Sequence, residues 1–338
     1  MRDEWKVKAF HSSLITHYFP MPRVSIIIPH WNGRPHLDEC LTSLRRQRFQ
    51  DFEVILVDNG STDGSQAYVH EQYPEAQLVE LGQNRGFTGA GNAGYAVAQG
   101  EIIILLNNDT EADAGWLAAV VDAFDRHPEV GSVASKMLLF DRRDHLHTAG
   151  DFYRLDGVPG NRGVWQLDQG QYEREEYVFS ACGGSAAYRR TMLEEIGFLD
   201  DDFFFSCEDV DMGWRANLAG WRVLYAPQAV VYHKLKATGG SVTGSFYDGR
   251  NFLYLIGKDY PASLLRHTWP AVLRAQLRIT WDALRAWRGA AARARLRGQA
   301  AGLLGLPRML AKRRQVQAGR RAADADLLAI LTPVDETP

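Results

Sequence analysis

Residues 24–29 read Val-Ser-Ile-Ile-Ile-Pro, an almost unbroken apolar run rich in β-branched side chains. Such a run is typical of a strand that is buried on both faces, as in a parallel sheet. Further strand-like runs follow at 52–57, 78–81, 101–106 and 130–137, and helix-like segments separate them at 35–48, 63–73, 88–98 and 116–126. This alternation predicts an α/β fold with a doubly wound, mostly parallel, Rossmann-like sheet and short right-handed crossovers.

The pattern changes in the second half of the chain. Residues 141–177 are irregular and rich in Gly, Asp and Arg, so we expect an insertion that lies over the crevice at the sheet edge. Strand character returns at 180–189 and 221–233. From about residue 247 the sequence is helical in pattern and rich in Ala, Arg and Leu. We therefore expect a C-terminal helical extension after the α/β part of the fold.

The composition of the chain indicates what kind of protein it is. The 338 residues are 46% hydrophobic and 23% charged, which is ordinary for a globular chain with a real core. Three widely spaced cysteines without a CxxC pair favour a reducing compartment and argue against a cysteine zinc site. The first twenty residues lack the apolar core of a secretory signal, and no run of about 18 apolar residues occurs. We therefore expect a cytosolic protein without a membrane-spanning helix.

Polar clusters stand where three of these strands end. They are His30-Trp31-Asn32, Asp58-Asn59-Gly60 and Asn107-Asn108-Asp109. In doubly wound sheets the ligand lies beyond the carboxyl ends of the strands. We therefore expect the three clusters to line one crevice.

Two of these clusters have both a functional and a structural interpretation. Asp109, next to amide side chains, can hold a hard divalent cation against a diphosphate, because Mg²⁺ and Mn²⁺ prefer oxygen ligands. The alternative is that it caps the following helix. Asp58 can accept a hydrogen bond from a nucleobase imide, or it can satisfy the amides of its own turn.

The stretch at 84–92, Asn-Arg-Gly-Phe-Thr-Gly-Ala-Gly-Asn, opens the third predicted helix with small residues. Small residues let a backbone approach a phosphate, and a helix N-terminus favours an anion. The stretch is neither a GxGxxG fingerprint after the first strand nor a P-loop. Tight packing of the helix on the sheet is the alternative, and both interpretations can hold together.

Acidic residues cluster at 200–202 and at Glu208, Asp209 and Asp211, with three phenylalanines between the two groups. Crowded carboxylates beside apolar rings have raised pKa values, which suits a general base. The alternative is capping of a helix that begins near Asp209. His233 ends a strand and precedes a Lys-, Thr- and Gly-rich loop at 234–244 that could close over a diphosphate.

Seven segments in order resemble a known family: VSIIIPHWNG, VDNGSTDGS, NRGFTGAGN, LLNNDT, CGGSAAYRR, FFSCEDVDMGWR and VVYH. Their order and spacing are similar to those of the inverting family 2 glycosyltransferases with a GT-A fold. The resemblance covers residues 22–245, and it is closest to bacterial rhamnosyltransferase-like members that build surface polysaccharide. It implies an N-terminal extension at 1–20, a GT-A catalytic domain at 21–245 and a basic helical tail at 246–338.

The resemblance also implies roles for single residues. The nucleotide sugar would be held by Pro29, Asn32, Asp58, Arg85, Asn108, Gly183 and Gly184. Asp109 matches the last acid of the DXD metal motif, in which Asn107 replaces the first, and His233 matches a further metal ligand. Asp209 matches the catalytic base, and Glu208 would support it.

These roles imply an enzyme that uses Mg²⁺ or Mn²⁺ and a dTDP- or UDP-sugar. Asp209 would take the proton from a hydroxyl of a glycan or lipid-linked acceptor as that hydroxyl attacks the anomeric carbon. A sugar nucleotidyltransferase is the alternative enzyme, but it usually has a Gly-rich loop with a basic residue where His30-Trp31-Asn32-Gly33 stands. A binding module that has lost catalysis is the other alternative, and the intact Asp109 and Asp209 argue against it.

The tail concentrates positive charge. Residues 260–321 contain fourteen Lys and Arg and one acid, Asp282, so their net charge is +13 and that of the remaining chain is −16. Helical spacing predicts an apolar stripe of Trp269, Leu273, Leu277, Thr280, Leu284 and Trp287. Arginines at 274, 278, 285 and 288 fall on another arc.

A basic amphipathic helix with Trp at its margins is typical of segments that lie on an anionic membrane surface. The alternative is that the stripe packs on the catalytic domain. Nucleic acid fits less well, because no nucleic-acid motif accompanies the basic residues. We therefore predict no nucleic-acid partner and a peripheral location on the cytoplasmic face of the inner membrane.

Overall fold

The computed structural model describes residues 21–234 and 241–337. The expected extension at 1–20 and most of the loop at 234–244, namely residues 235–240, lie outside the described residues. Twelve strands are described: β1 (Val24–His30), β2 (Phe52–Asp58), β3 (Gln77–Glu80), β4 (Ile102–Leu106), β5 (Thr110–Ala112), β6 (Val130–Leu139), β7 (Leu146–Ala149), β8 (Asp151–Tyr153), β9 (Pro159–Asn161), β10 (Glu176–Tyr177), β11 (Ser185–Arg189) and β12 (Arg222–His233).

The described helices are α1 (Arg34–Arg45), α2 (Ser65–Gln72), α3 (Gly86–Tyr95), α4 (Trp116–Arg126), α5 (Arg190–Ile196), α6 (Glu208–Leu218), α7 (Ser241–Lys258), α8 (Ala262–Arg285), α9 (Ala290–Ala318) and α10 (Asp324–Ile330). The strand–helix alternation expected between residues 24 and 137 is confirmed. The short strand β5 was not expected from the sequence.

The central sheet has the order β10-β12-β6-β11-β4-β1-β2-β3. Strands β1 to β4 pair in parallel, as do β6 and β12, whereas β11 is antiparallel to both β4 and β6. The apolar runs become buried strands because helices cover the sheet on both faces. The sequence-based expectation of a mostly parallel α/β sheet is therefore confirmed.

The chain leaves β1 toward β2 on one side, and β4 lies on the other side of β1. The crevice between the ends of β1 and β4 is therefore a switch point of the sheet, where ligands of doubly wound folds bind. The side chains that follow these two strands touch there, since Asn108 Nδ2 lies 2.8 Å from His30 Nδ1.

The insertion at 141–177 is more regular than the sequence suggested. It contains the short strands β7 to β10, and β8 pairs with β9 in a hairpin. Strands of two to four residues carry too little alternation to be recognised from hydrophobic periodicity.

The C-terminal helices share a core with the α/β part. Buried aromatic and aliphatic side chains from both regions form one cluster, which includes Phe203, Trp214, Tyr254, Tyr260 and Met309. The expected boundary before residue 246 falls within α7, so the division into domains stays a prediction. In the described part of the chain, no helix is both long and apolar enough to cross a membrane.

Part of the positive charge of the tail is neutralised internally. Lys312 Nζ lies 2.5 Å from Asp200 and 2.6 Å from Asp202, and Arg308 lies 2.7 Å from Asp202. Lys258 of α7 lies 2.7 Å from Asp200. The acidic loop before α6 and the basic helices are therefore partners across one interface, which explains part of the charge asymmetry.

Candidate active site

A cavity of about 610 Å³ lies at the carboxyl ends of β1 and β4. Its size is in the range of small-molecule sites. It is bordered by the insertion, by the loop before α6 and by α7. Its lining includes Pro29, His30, Asn59, Asn84, Asn108, Asp109, His147, Asp151, Asn161, Gly183, Gly184, Glu208, Asp209, His233, Asp248 and Phe252.

Asp109 and His233 form one side of this cavity. Asp109 follows β4, and His233 ends β12, which pairs with β5 directly after Asp109. Asp109 Oδ1 lies 3.1 Å from His233 Nε2, and Asn107 Nδ2 lies 3.4 Å from the same nitrogen. The pairing of β5 with β12 thus brings together two residues that the sequence separates by 124 positions.

His147 stands behind His233, with 3.1 Å between their Nδ1 atoms. Burial lowers the pKa of His147 to about 3, so the ring is neutral at physiological pH. One of the two Nδ1 atoms donates to the other, and this contact fixes the orientation of the His233 ring. Sequence reasoning missed His147, because it lies in the irregular insertion and no motif marks it.

His30, Asn108 and Ser65 form a hydrogen-bonded row on a second side. His30 Nε2 lies 2.7 Å from Ser65 Oγ, and its Nδ1 lies 2.8 Å from Asn108 Nδ2. Burial lowers the pKa of His30, although the nearby carboxylates of Asp63 and Asp58 oppose this. The row holds the Asn108 amide at the end of β4, next to Asp109.

Asn32, Asp58 and Arg85 do not belong to the cavity lining. The Asp58 carboxylate accepts hydrogen bonds from Gly60 N at 3.2 Å and from Ser61 N at 3.1 Å, within its own turn. This arrangement matches the structural alternative that the sequence left open. The assignment of these three residues to the nucleoside stays a prediction.

Asn59 and Asn84 line the cavity near those positions. Asn59 Nδ2 donates to Asn84 Oδ1 at 3.1 Å and to the Gly86 carbonyl at 2.9 Å. Both asparagines stand inside sequence motifs that do not mark them as candidate site residues. Their positions in the sequence could have identified them, because Asn59 directly follows β2 and Asn84 shortly precedes α3.

Asp209 lies in the first turn of α6, and its carboxylate is held by backbone amides. Gly183 N donates to Oδ2 at 2.8 Å, and Val210 N donates to Oδ1 at 2.8 Å. Burial raises the pKa of Asp209, although these amide hydrogen bonds favour the ionised form. The Asp209 carboxyl group is thus more basic than that of an ordinary aspartate.

Glu208 is 6% exposed, and its Oε2 has no hydrogen-bond partner among the described residues. Burial and the neighbouring charge of Asp209 raise the pKa of Glu208 well above the ordinary value. A Cβ atom at residue 183 would lie 3.0 Å from Glu208 Oε1. A side chain at 183 would therefore crowd the Glu208 carboxyl group, which would have to shift to make room.

Asp211 differs from Glu208 and Asp209 because it forms ion pairs with two basic side chains. Arg215 Nη2 lies 2.8 Å from its Oδ2, and Lys258 contacts its Oδ1. Burial opposes ionisation of Asp211, but these two cations hold its pKa below the ordinary value. The acids at 208–211 therefore divide into two groups. Glu208 and Asp209 face the cavity, whereas Asp211 is held by Arg215 and Lys258.

The loop that precedes α6 has an unusual backbone. Phe204, Ser206 and Cys207 have φ angles of 59°, 69° and 66°, in the left-handed region that side chains disfavour. Asn251 Nδ2 contacts the carbonyls of Phe203, Phe205 and Ser206 at 3.1, 3.0 and 2.6 Å. Helix α7 therefore holds the conformation that places Glu208 and Asp209.

This arrangement can do two kinds of chemistry at once. The carboxylate of Asp109 and the imidazole of His233 offer oxygen and nitrogen donors to a cation or a phosphate-bearing ligand. The raised pKa of Asp209 suits proton abstraction from a hydroxyl group. Both groups line one cavity that is large enough for a nucleotide-sized ligand.

Comparisons with known proteins show sequence relatives of this chain. The O-antigen biosynthesis protein RfbC of Myxococcus xanthus is 34% identical over 232 residues, which are 64% of this chain and 18% of that protein. The chain therefore spans less than a fifth of the length of that relative. The N-acetylglucosaminyl-diphospho-decaprenol L-rhamnosyltransferase of Mycobacterium tuberculosis is 29% identical over 72% of this chain and 85% of its own.

Solved structures show the same fold. The mannosyltransferase PcManGT from Pyrobaculum calidifontis, in complex with GDP-Man and Mn²⁺, matches with a TM-score of 0.54 and 21% identity over 88% of this chain and 86% of its own. S. aureus TarS 1-349, in complex with UDP, matches with a TM-score of 0.54 and 17% identity over 88% and 90%.

The sequence model of one family matches residues 25–197, which run from β1 into the turn after α5. This segment contains β4 with Asp109, the insertion and the Gly183-Gly184 loop. More than half of the chain is matched. The chain belongs to glycosyl transferase family 2.

Proposed function

We propose that the protein transfers a sugar from a dTDP- or UDP-sugar to a hydroxyl of a glycan or lipid-linked acceptor, with inversion at the anomeric carbon. Cell-surface polysaccharide biosynthesis is the proposed process, and rhamnose is the first sugar to test. The names of the RfbC relative and of the L-rhamnosyltransferase support this choice. The UDP-bound TarS structure supports a nucleotide ligand.

The observation that carries this proposal is that Asp109 and Asp209 line the same cavity. The first lies at a strand end, where the diphosphate of a nucleotide sugar binds in doubly wound folds. The second is a carboxylate with a raised pKa at a helix N-terminus. A donor site and a general base in one cavity are what group transfer to a hydroxyl requires.

The residues of this cavity fit a divalent metal ion. Asp109 Oδ1 and His233 Nε2 are 3.1 Å apart, and oxygen and imidazole nitrogen are suitable donors for Mn²⁺. Asp109 and His233 would hold the ion. When bound, such an ion neutralises negative charge on a leaving diphosphate. Asn107 stands where a DXD motif has its first carboxylate, so the protein contributes one carboxylate there instead of two.

In the proposed reaction, Asp209 accepts the proton of the acceptor hydroxyl while the hydroxyl oxygen forms a bond to the anomeric carbon. The bond from that carbon to the diphosphate oxygen breaks, and the diphosphate leaves with the electron pair. One displacement of this kind inverts the anomeric centre. The amides of Gly183 and Val210 hold the Asp209 carboxylate in place during the transfer.

A thermal-shift panel of dTDP- and UDP-sugars with Mg²⁺ or Mn²⁺ tests the donor. We expect one nucleotide sugar to stabilise the protein more than its free nucleotide does, and only when metal is present. A transfer assay with that donor and a synthetic N-acetylglucosaminyl diphosphate lipid tests the reaction. Equal stabilisation by every nucleotide, without transfer or donor hydrolysis, would contradict the proposed function.

We also propose that the tail binds an anionic membrane surface on the cytoplasmic face, where a lipid-linked acceptor would lie. The apolar stripe on α8 and in the turn after it is open to solvent in the described part of the chain. Its large side chains are 48–61% exposed and stand three or four positions apart: Trp269, Leu273, Leu277, Trp281, Leu284 and Trp287. Thr280, expected in this stripe, faces α9 instead and donates to Gln276 O at 2.8 Å.

Charge complementarity supports a lipid surface over other occupants. Arg266, Arg274, Arg278 and Arg285 are exposed on the same helix, and Arg288 is exposed in the turn that follows it. Each basic residue near an anionic surface contributes about 1 kcal/mol of attraction. Exposed tryptophans and leucines flanked by arginines are typical of helices that lie in a membrane interface.

Vesicle flotation tests the membrane contact. Deletion of the tail would also remove Arg308 and Lys312, which pair with the loop before α6, so substitutions are preferable. We expect Trp269→Ser, Trp281→Ser and Trp287→Ser together to abolish binding to vesicles that contain anionic lipid. Binding that is unchanged, or a change of oligomeric state without vesicle binding by the native protein, would contradict this proposal.

A further inference from the structure

Asp151 and Asn161 are two polar residues of the insertion that the proposed reaction leaves without a role. They begin and end the β8–β9 hairpin, where they pair directly in the ladder. Both line the cavity. Asn161 Nδ2 donates to Asp151 Oδ1 at 2.7 Å, and Thr148 Oγ1 donates to the same oxygen at 3.1 Å. The pair is therefore oriented by the protein itself.

Asp151 lies next to the proposed base. Its carboxyl oxygen, the Cys182 sulfur and a carboxylate oxygen of Asp209 all lie within 4.8 Å of one another. Asp151 is only 3% exposed, and among the described residues no Lys or Arg forms an ion pair with it. A ligand group in contact with the Asp209 carboxylate would therefore lie close to Asp151.

We propose that Asp151 and Asn161 bind a hydroxyl group of the sugar next to the reacting carbon, and that Asp151 is a specificity-determining residue. This inference rests on the proposed function. The hydroxyl belongs either to the transferred sugar or to the acceptor, because both must meet at Asp209. A sugar hydroxyl both donates and accepts, so it is complementary to a site that offers one donor and one acceptor.

The surroundings of Asp151 favour its neutral form. Burial and the negative charge of Asp209 raise the pKa of Asp151 well above the ordinary value, and its side-chain hydrogen bonds oppose this only in part. Asp209 differs because two backbone amides stabilise its ionised form. The backbone amides on Asp209 therefore favour its role as the base, and the surroundings of Asp151 favour its role as a hydrogen-bond donor.

Two substitutions of Asp151 separate this role from the role of a base. Asp151→Asn keeps the shape and offers an N–H donor, so we expect its kcat and both KM values to stay within about threefold of the wild type. Asp151→Ala removes the contact, so we expect the KM of either donor or acceptor to rise roughly tenfold while kcat changes little. The substrate whose KM rises identifies the owner of the hydroxyl.

The assay uses the full chain with dTDP-rhamnose and the other sugars of the panel, and the synthetic diphosphate lipid as acceptor. Asp156→Asn is a matched control, because Asp156 is buried between β8 and β9 but does not line the cavity. It should leave both KM values unchanged. If Asp151→Ala does not fold, Asn161→Ala takes its place, with a smaller rise in the same KM.

Three outcomes would overturn the inference. The first is an active wild type with unchanged KM values in Asp151→Ala and Asn161→Ala. The second is a loss of kcat in Asp151→Asn as large as that in Asp209→Asn, because it would make Asp151 an ionised participant. The third is a wild type that turns over no sugar of the panel, which would contradict the proposed function as well.

Discussion

The Asp109 side of the cavity is built from strand ends, whereas the Asp209 side is built from a loop that helices hold in place. Asp109, Asn108 and His30 directly follow or end buried parallel strands, and short hydrogen bonds between neighbours complete their positions. Glu208 and Asp209 follow a loop with three left-handed residues, and Asn251 of α7 supports that loop from a distant part of the chain.

This difference predicts which substitutions disturb the geometry of each side of the cavity. On the Asp109 side, the sheet register fixes the geometry, so single side chains can be removed without loss of the fold. On the Asp209 side, the geometry depends on side chains of α7 and α9 that neutralise or hydrogen-bond the loop. We therefore expect substitutions far from the cavity to affect catalysis on this side only.

The largest effect on the rate of sugar transfer is expected at Asp209. Asp209→Asn preserves volume but removes the proton acceptor, so transfer should fall by a factor of roughly 10² or more while donor binding persists. Steady-state transfer and calorimetric donor binding check the two parts. Asp211→Asn is not a suitable control, because Asp211 is buried against Lys258 and Arg215. Near-normal transfer by Asp209→Asn would assign the base to Glu208.

The largest effect on stability is expected at Lys258, which is 3% exposed and bridges Asp200 and Asp211. Lys258→Met leaves two buried carboxylates without this cation, and we expect a loss of about 3–5 kcal/mol in the free energy of unfolding. Urea denaturation measures it. Arg278→Met is the matched control, since its ion pair with Asp282 is solvent-exposed and should contribute less than about 1 kcal/mol. Equal losses would show that α7 does not support the loop electrostatically.

A smaller effect is expected at Asn251. Asn251→Ala releases the carbonyls of Phe203, Phe205 and Ser206, so kcat should fall roughly tenfold while donor affinity is retained. Gln317→Ala is the control, because its amide donates to the Asp259 carbonyl instead of to the loop. If both variants lose stability but neither loses kcat, the left-handed loop does not depend on this amide.

The smallest effect is a displacement of the pH profile. Asp209 accepts a proton only when it is ionised, so the rate is full above its pKa and falls as the pH drops through that value. Because burial raises this pKa in the ligand-free protein, the acidic limb of kcat/KM should lie above the ordinary value of about 3.9. An acidic limb at or below the ordinary value would contradict the assignment of Asp209 as the base.

The sequence predicts the site best where candidate residues directly follow strands. The apolar runs gave the parallel strands, and the position of Asn108 and Asp109 after β4 placed them in the crevice. It also brought Asp209 and Gly183 into one site through the resemblance, which the close contact between them supports. These features depend on local pattern and order, which a single sequence contains.

Other features depend on contacts that no local pattern shows. His147 and Asp151 lie in short strands without strong periodicity, and their partners are distant in sequence. The acidic residues between 200 and 211 looked like one cluster, because the cations of α7 and α9 that separate them come from the tail. Asp58 ends β2, and its carboxylate accepts hydrogen bonds from the amides of its own turn, a contact that the strand pattern alone does not distinguish from a ligand contact.

Calorimetric titration of the preferred nucleotide sugar into three proteins, with and without Mn²⁺, tests the two-sided cavity most directly. Wild type and Asp209→Asn should bind the donor with similar affinity and only with metal. Asp109→Ala should lose metal-dependent binding while its thermal unfolding stays cooperative, because the sheet holds that position. Normal metal-dependent binding by Asp109→Ala, or loss of binding by Asp209→Asn, would contradict the division of the cavity into a donor side and a catalytic side.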